Sequence, residues 1–301
     1  GSEAVSAAIK VCRAYTGRDK VISCGYHGWH DWYTIQTERN KGIPKQYKDL
    51  VCRVPYNDLK ELEKELEGKQ AACFILEPVI YEEPKKDYLN QVIDLCHKYG
   101  TLVVFDEMVT GFRLGLGGAM QYFNVRPDLA CFGKAMANGY PMACVVGKDD
   151  YMSIFSDKDF FCSGTYNSEL TGIEASIYTI ESILRDTVLS DIWYYGKELK
   201  DHYNNAAISL KIDTKCIGYP SRTFFEFPTL EHKNLFWQEC TKFGFLFGYA
   251  NFPTWDMTKY EGLLEKTQNT IYQVLLRMKD VWESPEKLFE GKLGTTVFRP
   301  I

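Results

Sequence analysis

The feature of this 301-residue sequence that most constrains its fold is a strand–helix–strand pattern in the first half. The apolar run 71–76 is followed by an amphipathic stretch between a capping Asp87 and a closing Gly100. The β-branched run 101–105 comes next. Strands joined by a helix with short connections form parallel sheets, because a parallel pair needs a crossover. The sequence therefore predicts an α/β fold with a mostly parallel sheet sandwiched by helices.

The remaining elements divide the chain into two predicted domains. Asn57 is the expected N-cap of a helix that ends at Gly68, and the pattern changes after about residue 175. We place a large domain at 1–190 and a smaller C-terminal α+β domain, built around aromatic runs at 224–227 and 245–248, at 191–301. The other predicted helices span 4–15, 171–185, 188–206, 232–243 and 260–282, and the other predicted strands span 128–132 and 142–146.

Composition excludes several classes of protein. Hydrophobic residues make up 45% of the chain and charged residues 25%, which is typical of a globular protein. A net charge of −5 disfavours nucleic acid or an anionic membrane as partner. No apolar run approaches the roughly 18 residues of a membrane span, and no signal peptide is visible. Ten scattered cysteines without CxxC spacing favour buried thiols in the cytoplasm.

Three polar side chains are expected at the carboxyl ends of neighbouring strands, where parallel α/β sheets bind ligands. Glu77 ends one apolar run, Asp106 and Glu107 end the next, and Lys134 lies just past the third. A desolvated lysine is a nucleophile for carbonyl carbons, and an aspartate can pair with a cationic ring nitrogen. Together they suit a pyridoxal phosphate enzyme. The alternative is that Lys134 is an ordinary solvated lysine.

Other short motifs have competing interpretations. The segment 25–31 places aromatic side chains between glycines, as a stacking wall for a ring ligand would. Zinc sites usually need three or four ligands, and no fitting pair of partners lies near His27, His30 and Asp31. We therefore predict no metal site. The segment 114–120 has Met120 where a dinucleotide-binding glycine motif needs its last glycine.

Two segments are candidate phosphate sites. Gly1 and Ser2 open a predicted helix, whose free N–H groups attract anions. The alternative is that this pair is a cloning remnant. The second candidate is the small, polar segment 163–165, which is otherwise an ordinary turn.

Taken together, these segments resemble the class III, fold type I pyridoxal phosphate-dependent aminotransferases, and within them the glutamate-1-semialdehyde aminomutase-like proteins. The block 105–113, with the sequence FDEMVTGFR, and its downstream lysine are the most specific match. The order and spacing agree along the whole chain, although family members carry a further segment before the Gly-Ser-Glu motif. The other matching segments are Gly-Ser-Glu-Ala at 1–4, Tyr-His-Gly at 26–28, Glu-Pro at 77–78, Phe-Gly-Lys at 132–134, Gly-Thr at 164–165 and the ending at 296–299.

The resemblance implies a role for each matching residue. Lys134 would form a Schiff base with the cofactor and transfer protons, and Asp106 would keep the pyridine nitrogen protonated. Tyr26 and Met108 would pack against the two faces of the ring. His27 and Glu77 would also bind the cofactor, and Gly1 and Ser2 would bind its phosphate. The resemblance further implies a homodimer with shared active sites, in which Thr165 would bind the phosphate of the cofactor in the neighbouring subunit.

The implied activity is amino-group transfer between an amino donor and a keto or aldehyde substrate. Glutamate-1-semialdehyde 2,1-aminomutase is one alternative, although Glu82 stands where the aminomutases carry an asparagine. The others are a different pyridoxal phosphate reaction, or an inactive, truncated chain with a structural or binding role. Candidate groups for a substrate carboxylate or hydroxyl are Arg113, Arg222, His27 and Trp29. The alternatives are that Arg113 pairs with a carboxylate such as Glu107 and that Arg222 is a surface residue.

Overall fold

A six-stranded sheet organises the first of two compact units, Gly1–Asp186. The computed structural model describes residues 1–80, 82–292 and 294. The strand order is β2-β1-β3-β4-β5-β6, in which β1 to β5 pair in parallel and β6 is antiparallel to β5. The predicted fold class is therefore confirmed. The strands are β1 Lys20–Cys24, β2 Val51–Arg53, β3 Ala71–Leu76, β4 Leu102–Asp106, β5 Leu129–Phe132 and β6 Cys144–Gly147.

Helices cover both faces of this sheet. Cys73 and Ile75 belong to an apolar cluster with α1, whereas Phe74 and Leu76 belong to a second cluster with α3 and α4. Both faces of β3 are buried, which explains why it appears in the sequence as an unbroken apolar run. The helices of this unit are α1 Ser2–Thr16, α2 Asp31–Thr34, α3 Leu59–Leu66, α4 Tyr88–Lys98, α5 Gly118–Tyr122, α6 Asp149–Met152 and α7 Leu170–Arg185.

Two of the expected helix signals differ in detail. Asp58, and not Asn57, is the N-cap of α3, and its carboxylate accepts the Glu61 N–H at 3.0 Å. Asn57 has a φ of 63° and therefore belongs to the preceding turn. Asp87 occupies the N-cap position of α4 but makes no side-chain capping bond. Gly100 follows α4 with a φ of 67°, as expected for a residue that ends a helix.

The second unit, Thr187–Ile301, packs three helices with a two-stranded antiparallel hairpin. Its core stacks Tyr203 on Phe225, with ring centroids 4.6 Å apart, and Phe236 meets both rings edge to face. The aromatic run 245–248 forms no strand, whereas the run at 224–227 begins inside one. The elements are α8 Val188–Leu210, β7 Lys215–Tyr219, β8 Arg222–Glu226, α9 Leu230–Lys242 and α10 Leu263–Lys279.

Two sequence features have simple structural outcomes. In the described part of the chain, no helix combines the length and the apolar character needed to cross a bilayer. The predicted family ending at 296–299 lies outside the described residues.

Candidate active site

The candidate site lies where the adjacent parallel strands β1, β3, β4 and β5 end. The segment 25–28 follows β1, and Glu77 follows β3 directly. Asp106 is the last residue of β4 and is the register partner of Cys131 in β5. Lys134 comes two residues after β5. The topology thus brings most of the predicted cofactor-binding residues to one edge of the sheet.

Asp106 is held by a buried histidine. The Asp106 Oδ2 and His27 Nδ1 atoms are 2.8 Å apart, and the Met108 N–H donates to Asp106 Oδ1 at 3.2 Å. The His27 ring stacks parallel to Trp32, with centroids 6.4 Å apart. Its Nε2 atom is buried and has no hydrogen-bond partner among the described residues. The carboxylate is therefore fixed in orientation at the strand end, beside a histidine with one unused ring nitrogen.

Glu77 sets the path of the loop that carries Tyr26. Its Oε1 accepts the Tyr26 N–H at 2.8 Å, and its own N–H donates to the Cys24 carbonyl oxygen at 3.0 Å. Gly25 has a φ of 109°, and a Cβ there would lie 2.9 Å from Glu77 Oε1. Tyr26 is half-buried and meets the edge of the Tyr33 ring. The contacts of Glu77 thus support a role in placing the loop.

A cradle of small residues surrounds the start of α1. Ser2 Oγ accepts the Trp29 N–H at 3.3 Å, and a Cβ on Gly28, whose φ is 94°, would lie 2.2 Å from that oxygen. A Cβ on Gly1 would lie 3.2 Å from Met108 Sδ, and one on Gly133 would lie 2.7 Å from it. Glycine is therefore required at Gly28 and Gly133 for these close approaches. The free N–H groups of the first turn of α1 lie beside them.

Lys134 begins the 3-10 helix Lys134–Met136 with a φ of 46°, which is strained for a residue other than glycine. Its chain neighbour Gly133 lies against Met108, the residue two positions after Asp106, so Lys134 is at the same edge of the sheet as Asp106. Lys134 itself is exposed. The single chain thus leaves this lysine in contact with solvent, as in the alternative interpretation given above.

The remaining candidate residues are spread over the chain. Thr165 is exposed in the turn that precedes α7. Trp29 is 72% exposed. Arg113 is half-buried, and burial lowers its pKa. Arg222 is a buried residue of β8 in the second unit, with its guanidinium over the Phe224 ring, so the interpretation of it as a surface residue is wrong.

The carboxylate of Glu107, an expected partner of Arg113, accepts from other donors. It accepts the N–H groups of Ala119 and Met120 at 2.9 and 2.8 Å, and the Thr110 hydroxyl also contacts it. The histidines of the aromatic segment also have structural partners, since His30 Nδ1 lies 2.7 Å from Ser6 Oγ. No cluster of three or more metal-ligating side chains occurs in the part of the chain that the structure describes.

The residues at this edge of the sheet fit pyridoxal phosphate. The buried Asp106 carboxylate suits a cationic ring nitrogen, and the glycine cradle with the first turn of α1 suits a phosphate. Met108 is buried beside Gly1 and Gly133, and Tyr26 is half-buried, so each has ring or thioether surface to offer a planar group. The accessible Lys134 amine suits a carbonyl carbon.

A family model and curated relatives match this chain. The model of the class III aminotransferases matches residues 1–212. The 3-aminobutyryl-CoA aminotransferase of Cloacimonas acidaminovorans is 38% identical over 75% of this chain and 56% of its own length. The glutamate-1-semialdehyde 2,1-aminomutase of Methanothrix thermoacetophila is 32% identical over 82% of this chain and 61% of its own length. The chain thus spans a little over half the length of these relatives.

Solved structures share the fold. FumI from Sphingopyxis, in its PLP internal aldimine form, superposes with a TM-score of 0.85 at 22% identity, over 94% of this chain and 70% of that one. An omega-transaminase from Sphaerobacter thermophilus superposes with a TM-score of 0.83 at 19% identity, over 93% and 73% of the two chains. At this identity the likeness concerns the fold alone.

Proposed function

This chain belongs to the class III aminotransferase family, and we propose that it is the catalytic part of a pyridoxal phosphate-dependent aminotransferase. The observation that carries the proposal is the convergence of Asp106, the glycine cradle and Lys134 at the ends of β4, β1 and β5. Its substrates would be an amino donor and a keto or aldehyde acceptor. When bound, pyridoxal phosphate supplies a carbonyl carbon that accepts the amino group and a ring that stores the electron pair.

Each side chain has a stated role in this proposal. Lys134 would hold the cofactor through Nζ, and its amine would also serve as the base and acid for the substrate proton. Asp106, oriented by His27, would pair with the ring nitrogen and favour its protonated form. Tyr26 and Met108 would bound the ring, and the Gly1–Ser2 turn would bind the phosphate, with Gly28 allowing the close approach of Ser2. Glu77 fixes the loop of Tyr26.

The proposal is tested by the absorbance of the purified chain with pyridoxal phosphate. A lysine-linked cofactor absorbs at about 410–430 nm, and we expect this band to shift when an amino donor is added. Lys134→Ala should abolish the band and lower turnover by at least about 10³-fold. Lys69→Ala is the matched control, because Lys69 also has a positive φ, 51°, but lies before β3. Absence of the band from the unaltered chain would refute the proposal.

Glutamate-1-semialdehyde 2,1-aminomutase activity is a second candidate. The Methanothrix relative carries that name, whereas the Cloacimonas relative is named a 3-aminobutyryl-CoA aminotransferase. Glu82, five residues after Glu77, favours the aminotransferase, since the aminomutases carry an asparagine there. Two assays distinguish these activities. An aminotransferase transfers the amino group to an added keto acid, whereas an aminomutase isomerises the semialdehyde without an added acceptor.

We further propose a homodimer with shared active sites in the cytoplasm. Large apolar side chains are exposed along 161–184, including Phe161, Tyr166 and Leu170 at 77%, 82% and 74%, and Thr165 lies among them. Such a patch supports a protein–protein interface. All ten cysteines are free, which supports a reducing compartment. Light scattering should give twice the chain mass, and Tyr178→Glu on exposed α7 should give the monomer.

A further inference from the structure

The buried carboxyl group of Glu107, which the proposed chemistry does not use, connects the two ends of the loop 110–119. Its side chain has no exposed surface. Oε2 accepts the Ala119 N–H at 2.9 Å and Oε1 accepts the Met120 N–H at 2.8 Å, so the carboxyl group secures the start of α5. Its contact with the Thr110 hydroxyl secures the turn after β4. One side chain thus fixes both ends of the loop 110–119.

The backbone of Glu107 is fixed as well. Its N–H donates to the Cys131 carbonyl oxygen in β5 at 2.9 Å, and its carbonyl oxygen accepts the Gly111 N–H at 2.8 Å. Its two chain neighbours are Asp106 and Met108, which the proposed function places at the ring nitrogen and on one face of the ring. A shift of the Glu107 backbone would therefore move both of them together.

The loop is shaped around this carboxyl group. Gly118 has a φ of 68°, and a Cβ there would lie 2.2 Å from Glu107 Oε2. A Cβ on Gly111 would lie 2.8 Å from the Glu107 carbonyl oxygen. Neither position tolerates a side chain while Glu107 keeps its place.

The carboxyl group can exist in two proton states near neutral pH. Burial raises the pKa of Glu107 to about 7 against the lowering effect of its three hydrogen bonds, and the Asp106 carboxylate adds to the increase. The Thr110 hydroxyl can donate to the ionised form or accept from the protonated form. The network therefore survives protonation.

We propose that Glu107 is a positioning residue, which holds Asp106 and Met108 in register with the cofactor by clamping the loop 110–119 to the end of β4. The inference rests on the proposed function, because it assigns Asp106 and Met108 to the cofactor. Glu107 itself touches neither substrate nor cofactor in this proposal.

The test compares Glu107→Gln with Glu239→Gln in the complete chain. Glutamine keeps the size of the side chain but has one acceptor oxygen for two N–H donors, so the clamp is weakened without a cavity. Glu239 is the matched control: it is equally buried, in α9 of the second unit, where Lys242 and Arg277 contact it. If the loss of a buried negative charge alone lowers activity, both variants should show the same loss.

Four properties are measured on each variant: the kinetic constants, the pH profile of the absorbance, hydrogen exchange and the melting temperature. We expect Glu107→Gln to lower kcat about tenfold with little change in the KM of the donor, and to alter the pH profile of the cofactor absorbance. Without cofactor, hydrogen exchange at the amides of Ala119 and Met120 should be faster. As the pH rises from about 4.3 to 7, the melting temperature of the unaltered chain should fall more steeply than that of Glu107→Gln. The reason is that the raised pKa of Glu107 makes the folded chain bind more protons than the unfolded chain in this range.

Each contrary result has its own meaning. If the unaltered chain gives no cofactor band, the proposed function fails and the inference fails with it. If the band forms but Glu107→Gln matches the unaltered chain in kcat and pH profile, the positioning role alone is refuted. An equal loss of kcat in Glu239→Gln would refute it too, since the effect would then be general destabilisation.

Discussion

Two histidine–aspartate pairs lie at opposite edges of the same sheet, and they differ in how completely their polar atoms are used. His27 Nδ1 and Asp106 Oδ2 are 2.8 Å apart at the carboxyl end of β4. His97 Nε2 and Asp128 Oδ2 are also 2.8 Å apart, at the amino end of β5. The two pairs have the same distance between their atoms, and both aspartates are buried. They differ in the other hydrogen-bond partners that surround each pair.

The pair at the amino end is complete. Asp128 also accepts the Val103 N–H at 2.8 Å and the Lys148 ammonium at 2.9 Å, and the His97 side chain is 41% exposed to water. The pair at the carboxyl end keeps His27 Nε2 buried without a hydrogen-bond partner among the described residues. A buried polar atom without a partner is costly. The sheet thus has a saturated pair that stabilises its fold and an unsaturated pair where the proposed cofactor binds.

The largest expected difference between the pairs is in catalysis. Asp106→Asn removes the charge that would hold a proton on the ring nitrogen, and losing one charge-assisted hydrogen bond should lower kcat about 10- to 100-fold. Asp128→Asn should leave kcat near that of the unaltered chain. Steady-state kinetics with the cofactor at saturation measures both. An equal loss in the two variants would show that the edges of the sheet do not differ as argued.

The free energy of unfolding should change more in Asp128→Asn than in Asp106→Asn, the reverse of the order expected for kcat. Asp128→Asn weakens the interactions of a fully buried carboxylate with Lys148 and His97 and with one backbone N–H, which should cost about 2 kcal/mol of unfolding free energy. Asp106→Asn should cost less, because fewer donors depend on it. Urea unfolding of the cofactor-free variants gives both values. A larger cost for Asp106→Asn would reverse the assignment of structural and functional pairs.

Low pH should remove the contribution of the His97–Asp128 pair to the stability of the fold. Burial opposes the ionisation of Asp128, but its hydrogen bonds from Val103, His97 and Lys148 outweigh burial and lower its pKa. A lowered folded-state pKa gives stability that is present above the unfolded value of about 3.9 and is lost as the pH falls through the folded value. The difference in melting temperature between the unaltered chain and Asp128→Asn should therefore shrink below about pH 4. A constant difference from pH 6 to 3 would contradict this.

The sequence predicts some elements of this sheet well and others not at all. Strands β3 and β4 are unbroken apolar runs because both of their faces are buried, and the helix between them has clear end signals. Strands β1 and β2 were not predicted, because Lys20 and Ser23 interrupt the first and the second has only three residues. The family was predicted from motifs around the strand ends, and the family model confirms it.

The candidate site is less accessible to sequence reasoning. Asp106 and Lys134 were predicted as site residues because strand ends bind ligands, and this prediction needs only the order of the elements. The pairing of His27 with Asp106 joins residues 79 positions apart and depends on β1 lying two strands from β4. No local pattern carries that information. The exposure of Lys134 was left open between two interpretations, because its neighbours Gly133 and Ala135 indicate little about what covers a side chain.

The smallest expected effect concerns the unused nitrogen of His27 and separates its two ring atoms. His27→Asn places an amide N–H near the position of Nδ1 and removes Nε2, whereas His27→Gln keeps a polar atom near Nε2 and loses the donor to Asp106. If Nδ1 orients Asp106, His27→Asn should keep kcat within about threefold, and His27→Gln should lose about tenfold. If instead Nε2 serves the reaction, the order of the two variants reverses. Because both variants replace the buried ring with a side-chain amide, their comparison largely cancels the packing cost and isolates which nitrogen the site uses.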